Sequence, residues 1–191
     1  MYAQELTLMT YNIKLDYPKE GVNSWDNRKD WMMNQIQFYS PDIFGVQEAM
    51  PSQMKYMDSV LVDYGFIGVG RDDGKDEGEY SAIFYNKEKF KIIEGSTFWL
   101  SETPDKVSMG WDAVCNRVCT YALFEELTTK QQLWVFNTHF DHVGKVARIK
   151  SVSLILNKIK TINSNNLPLV LMGDFNLEPE TENIQLIKTV L

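Results

Sequence analysis

Apolar positions along the chain follow two rhythms. Leu6–Ile13 is an apolar run with β-branched and aromatic members, the composition of a strand. Ser24 precedes a segment, Trp25–Tyr39, in which Trp31, Met32, Gln35, Ile36 and Tyr39 recur at roughly helical spacing, which predicts a helix capped by Ser24. Ser40-Pro41-Asp42 ends it, and Ile43–Gln47 reads as a short buried strand. Pro51 suits the first position of a second helix running to about Val62. A strand at Phe66–Val69 then leads into Arg71–Glu79, a Gly/Asp/Glu-rich stretch without periodicity that predicts a loop.

The pattern then changes. Tyr80–Tyr85, Phe90–Leu100, Val118–Glu125 and Leu133–Thr138 are strand-like and read as hairpins, joined by Asn86-Lys87-Glu88, a longer loop and Leu127–Lys130. A third amphipathic helix is expected over Lys145–Ile162, broken by Asn163–Asn166 and Pro168. Leu169–Met172 is a buried strand, followed by the turn Gly173–Pro179 and a last helix over Glu180–Leu191. Helix–strand alternation at both ends with hairpins between predicts a layered α/β arrangement of mixed sheets. With no repeat, linker or compositional step, residues 1–191 read as a single domain.

Composition narrows the function classes. At 191 residues and 44% hydrophobic content the chain can bury a substantial core, and no apolar run reaches the length of about 20 residues that a membrane span needs. Twenty-six acidic and 19 basic residues give a formal net charge of −7, which weighs against a protein built to grip duplex phosphates. A small phosphoester remains compatible, because a bound divalent cation reverses the local field. Cys115 and Cys119, if on one strand, would stand about 13 Å apart, too far for a disulfide, so two ordinary buried thiols are expected. The opening Met1-Tyr2-Ala3-Gln4-Glu5 resembles the small-residue end of a secretion signal and leans toward export. No obligate protein partner is indicated.

Candidate chemistry collects immediately after strand runs, where open α/β sheets place their ligands. Asn12 ends the first strand and offers a carbonyl to a cation or an amide to a phosphate. Glu48 ends Gly45-Val46-Gln47-Glu48, where a buried carboxylate needs a partner that a hard cation such as Mg²⁺ supplies. Asn137-Thr138-His139-Phe140-Asp141-His142 holds both histidines. Nothing nearby completes a zinc set, and His139 suits a phosphoryl or leaving oxygen. Gly173-Asp174-Phe175-Asn176 follows the strand Leu169–Met172. Asp174 can orient or deprotonate an attacking water, and Asn176 can donate to charge developing on phosphorus. Arg117, at a strand start, could hold a phosphate bidentately. The acidic stretch Asp72–Glu79 fits no EF-hand spacing and is expected to be a solvated loop.

Thr10-Tyr11-Asn12-Ile13, Gln47-Glu48, Ser81-Ala82-Ile83-Phe84-Tyr85, Asn137-Thr138-His139 and Gly173-Asp174-Phe175-Asn176, in that order, resemble the endonuclease/exonuclease/phosphatase superfamily. The stretch Phe98–Pro104 together with Asn137–His142 is similar to a bacterial branch usually described only by the superfamily name. The resemblance implies a four-layered αββα sandwich of two mixed sheets flanked by helices. It also implies Mg²⁺ or Mn²⁺ at Glu48 with Asn12 close by, and His139, Asp174 and Asn176 as the catalytic set. Arg117, His142 and Asn137 fall on the substrate-binding side. Superfamily members continue past this point into strands bearing a further Asp/His motif. On that reading the chain stops short of its C-terminal strands and of that histidine. Two functions follow from it: a divalent-metal-dependent phosphoester hydrolase, or a non-catalytic relative that retains metal and phosphate binding.

Overall fold

The computed structural model describes residues 5–17 and 19–191, so the export reading, carried by Met1–Gln4, falls outside the described residues. The strands are β1 (Leu8–Asn12), β2 (Ile43–Gln47), β3 (Tyr64–Ile67), β4 (Ile83–Asn86), β5 (Phe90–Trp99), β6 (Val118–Glu126), β7 (Gln132–His139) and β8 (Leu169–Asp174). The helices are α1 (Trp25–Tyr39), α2 (Pro51–Val60), α3 (Lys145–Ile162) and α4 (Glu182–Val190). They form two four-stranded sheets, β1-β2-β4-β3 and β5-β6-β7-β8. Each is mixed: β1–β2 and β7–β8 run parallel, and the remaining pairs run antiparallel.

Three apolar clusters occupy the three spaces between four layers. Met32, Met33 and Ile36 of α1 and Met54 and Met57 of α2 pack on Phe44, Val46 and Phe84 of the first sheet. Val152, Ile155 and Ile159 of α3 pack on Cys119, Trp134 and Phe136 of the second. Ile43, Ile83, Phe124, Val135 and Met172 fill the space between the sheets. This is the αββα sandwich expected, and it follows from period-2 alternation: each central strand presents one apolar face to its helices and the other to the opposite sheet.

Two local expectations are corrected. Tyr80–Tyr85 and Phe90–Leu100 do not form a hairpin. β4 pairs with β2 and β3, while β5 pairs with β6, so Lys87-Glu88-Lys89 carries the chain from one sheet to the other. Ser24 occupies the N-cap position of α1 but makes no side-chain capping bond. Cys115 lies in the loop before β6 and is half-buried, while Cys119 is buried, and both thiols are free. Among the described residues no helix is long and apolar enough to cross a membrane.

Candidate active site

The inter-sheet faces of β1, β7 and β8 turn from apolar to polar toward one end. Along β7, Leu133 and Val135 face the apolar layer, and the same face continues with Asn137 and then His139. On β8 it runs through Val170 and Met172 to Asp174, and on β1 through Leu8 to Thr10 and Asn12. Glu48 follows β2 directly. The strand ends thus bring Asn12 from one sheet and Asp174 from the other to a cleft of about 600 Å³, with Glu48 behind Asn12 and His139 behind Asn176.

Asn12 joins the two halves. Its Nδ2 donates to Glu48 Oε1 at 2.8 Å and to Asp174 Oδ2 at 2.9 Å, while its Oδ1 accepts the Lys14 N–H at 3.0 Å. Asn12 thus turns its amide nitrogen into the cleft rather than the carbonyl expected of a metal ligand, and it brings two carboxylates within reach of one group. The second Glu48 oxygen accepts the Leu15 N–H at 3.1 Å. Glu48 holds φ +61° and Asn176 φ +47°. For Asn the left-handed region is common, whereas for Glu it is a strained placement.

Asp174 Oδ1 accepts the Asn176 N–H at 3.0 Å. Burial pushes the Asp174 carboxyl up, but the Asn12 amide, the Asn176 N–H and the charges of His139 and Arg117 outweigh it and hold the group below its ordinary value. Asn176 Nδ2 donates to His139 Nε2 at 3.1 Å and to the Phe140 carbonyl at 2.9 Å. Both amide hydrogens are thereby engaged by protein acceptors, and Asn176 lines the cleft beside the imidazole it holds. With Nε2 accepting, the His139 proton sits on Nδ1, 4.0 Å from Glu79 Oε2 and without a hydrogen-bond partner. Burial, reinforced by the Arg117 charge, lowers His139 from 6.5 to about 4 against the opposing pull of Asp174 and Glu48, so the ring is neutral at pH 7.

Arg117 is only 5% exposed. One guanidinium nitrogen, Nη2, lies 3.0 Å from His142 Nδ1, and Nε stands 3.6 Å from Asp141 Oδ2. Nη1 is buried and has no hydrogen-bond partner. His142 is exposed and completes this side. Asn137 departs from the substrate-facing role expected of it. Its side chain is fully buried between the sheets, and its amide is spent on Val46 O, Ala82 O and the Gln47 side chain. Gly173 is not a turn residue. It lies inside β8 at φ +142°, where an added Cβ would stand 2.0 Å from Thr138 O, so the close approach of β7 and β8 behind the site requires glycine.

The sequence did not single out two neighbours of the site, the Arg71–Glu79 pair and Asp141. The acidic loop folds on itself through Asp73 Oδ1, which accepts the Lys75 and Glu77 N–H groups, yet its end turns inward. There Arg71 Nη1 holds Glu79 Oε2 at 2.7 Å beside His139. Burial raises the Glu79 carboxyl, and the charges of Arg71 and Arg117 moderate the effect. The available signal was the strand run Tyr80–Tyr85 directly after Glu79, which marks a fixed element at the loop's end. Asp141 is the other: it accepts N–H groups from Val114, Val143 and Gly144 and stands beside Arg117.

The profile of the Endonuclease/Exonuclease/phosphatase family matches residues 9–189. An uncharacterized protein of Acanthamoeba polyphaga mimivirus is 31% identical over 168 residues, 83% of this chain and 61% of the viral one. The CCR4-Not complex 3'-5'-exoribonuclease subunit Ccr4 of Mycosarcoma maydis is 24% identical over 93% of this chain, which spans 34% of that protein. The chain thus covers less than two thirds of each. Among solved structures, an endonuclease/exonuclease/phosphatase family protein of Bacteroides thetaiotaomicron superposes with a TM-score of 0.94 at 42% identity, over 96% of this chain and 68% of that one. A mannosyl-6-phosphatase of the same species superposes at 0.92, again with 42% identity, over 95% and 69%. On the extent of the profile match and these likenesses, the chain belongs to the endonuclease/exonuclease/phosphatase family.

Proposed function

We propose that this chain hydrolyses a phosphoester with the aid of a divalent cation, Mg²⁺ or Mn²⁺. The observation that carries the reading is the Asn12 amide, which holds Glu48 from one sheet and Asp174 from the other within hydrogen-bond distance of a single nitrogen. Two carboxylates held this close make an electronegative pair whose charge a divalent cation can offset. The donors are hard oxygens. Among the described residues no group of three or more His, Cys, Asp or Glu gathers to enclose a metal. Mg²⁺ can be held by one or two carboxylates while keeping its waters. Glu48 would hold it, with Asn12 orienting the carboxylate. A bound divalent cation neutralises phosphoryl charge and lowers the pKa of water.

The chain's own groups divide the remaining work. Asp174, kept ionised by its hydrogen bonds, orients an attacking water and accepts its proton. Neutral His139, fixed by Asn176, offers its Nδ1–H to a phosphoryl oxygen without adding a second positive charge beside Arg117. Arg117 takes a further oxygen through Nη1, with His142 bracing the guanidinium. The likeness to a mannosyl-6-phosphatase makes a sugar phosphomonoester the first substrate to try, and a net charge of −7 favours such small substrates over polyanions.

The test is turnover of p-nitrophenyl phosphate, its bis ester and a hexose 6-phosphate, with Mg²⁺ or with EDTA, beside Glu48→Ala. Mg²⁺-dependent release that drops at least about 10²-fold in the variant is expected, by analogy with the loss of other preorganised charged groups. Turnover indifferent to EDTA or to Glu48→Ala would sink the reading. A folded chain that binds Mg²⁺ without turnover would move it to the non-catalytic alternative.

A further inference from the structure

The two halves of the site belong to different sheets, so their separation is set by whatever holds those sheets at that end. Most of the layer between them is apolar, with Ile43, Ile83, Phe124, Val135 and Met172 in contact. Such contacts fix composition but not register, because they lack direction. Asn137 is the exception, wholly buried two residues before His139 and on the same face of β7. Its Nδ2 crosses the layer to Val46 O at 2.9 Å and Ala82 O at 2.8 Å. Its Oδ1 accepts from Gln47 Nε2 at 2.7 Å, and the same nitrogen lies 3.1 Å from Thr10 Oγ1. The opposing sheet makes room for it: a Cβ on Gly45 would stand 2.6 Å from Asn137 Cγ.

We infer that Asn137 is a positioning residue, which fixes the spacing and register of the two sheets at the site end and so the distance at which Glu48 faces Asp174 and His139. The inference rests on the hydrolase reading above. On one side the clamp grips Val46 and Gln47, the two residues before Glu48. On the other it is two residues from His139. Its donors and acceptor are used in three directions, so removing them takes one donor from each of the Val46 and Ala82 carbonyls and one of two acceptors from the Gln47 amide, and the sheets lose their directional link at this end. A displacement of about 1 Å between reacting groups costs on the order of 10²-fold in rate. Glu48 and Asn12 share one sheet, so the cation-holding half moves as a unit and keeps its affinity.

The test compares Asn137→Ser with Val135→Ala, which opens a void in the same layer on the same strand. Steady-state kcat, KM, half-saturating Mg²⁺ and thermal midpoint are measured for each. Asn137→Ser is expected to lower kcat about 10- to 100-fold with half-saturating Mg²⁺ changed less than about 3-fold. Val135→Ala is expected to lower the thermal midpoint at least as much and to leave kcat within about 3-fold. If Asn137→Ser does not fold, Gln47→Met, which removes the amide that Asn137 accepts from, decides, with kcat expected to fall several-fold. A kcat unchanged within about 3-fold in the deciding variant overturns the positioning role, as does an equal loss in Val135→Ala. Absence of metal-dependent turnover in the wild type overturns both the role and the hydrolase reading.

Discussion

Replacing His139 by Asn in metal-free protein should flatten the fall of stability with acid. His139 is 6% exposed, and burial with the Arg117 charge takes it from 6.5 to about 4. A histidine whose folded value lies below its unfolded one leaves the native state short of a proton between the two. Stability is therefore complete above 6.5, and it drains away as pH falls toward 4, because the unfolded chain binds a proton that the native chain refuses. A gap of about 2.5 pH units at 1.36 kcal/mol each makes the full loss about 3 kcal/mol. Between pH 7 and pH 4.5 it amounts to roughly 2 kcal/mol. The assay is urea unfolding at both pH values, in EDTA, for wild type and His139→Asn. The wild type should lose roughly 2 kcal/mol more than the variant over that interval. Equal losses, within about 0.5 kcal/mol, would refute the assignment of a buried neutral imidazole.

Asp141 behaves in the opposite sense. Burial raises its carboxyl, but the N–H groups of Gly144, Val143 and Val114 and the Arg117 charge bring it down to about 2. Its contribution is present above the unfolded value of 3.8 and is lost as pH falls toward 2, so Asp141→Asn should cost roughly 2 kcal/mol at pH 7 and remove that part of the acid transition. Unfolding free energies at pH 7 and pH 2.5 check this, and a variant as stable as the wild type at pH 7 contradicts it. Gly173→Ala places a Cβ 2.0 Å from Thr138 O at φ +142°, and a loss of about 3 kcal/mol or more is expected. A urea midpoint close to that of wild type would show that β8 can move away from β7 without cost.

The sequence carried the elements better than their partners. Trp25–Tyr39, Ile43–Gln47 and Lys145–Ile162 match the structure at both ends, because helical spacing and short apolar runs are local properties. The passage from β4 to β5 looked like a hairpin because a short polar link between two strands is the same string of residues whether the strands pair or part. Asn12, Glu48, His139 and Asp174 were legible as polar residues closing apolar strands, and the structure brings them together. The partners of Asn176 and Asn137 were not, since an amide in a motif does not reveal which neighbour takes its hydrogens. Glu79 and Arg71 were hidden in a Gly- and Asp-rich loop, where composition speaks for solvent and only the fold turns one end inward.

The hydrogen bond from Asn12 to Asp174 spans 162 positions, and Gln47 to Asn137 spans 90. Contacts of that separation carry a large loop-closure entropy and form only when most of the chain is in place. A chain emerging from the ribosome has Asn12 and Glu48 long before Asp174 exists, and until β8 docks it holds no assembled cleft. Hydrolytic power, on the proposed reading, would require β8 to be docked and would leave with the first local opening of β1 or β8. Activity would then report on the docking of both strands before any probe of helix content records a change.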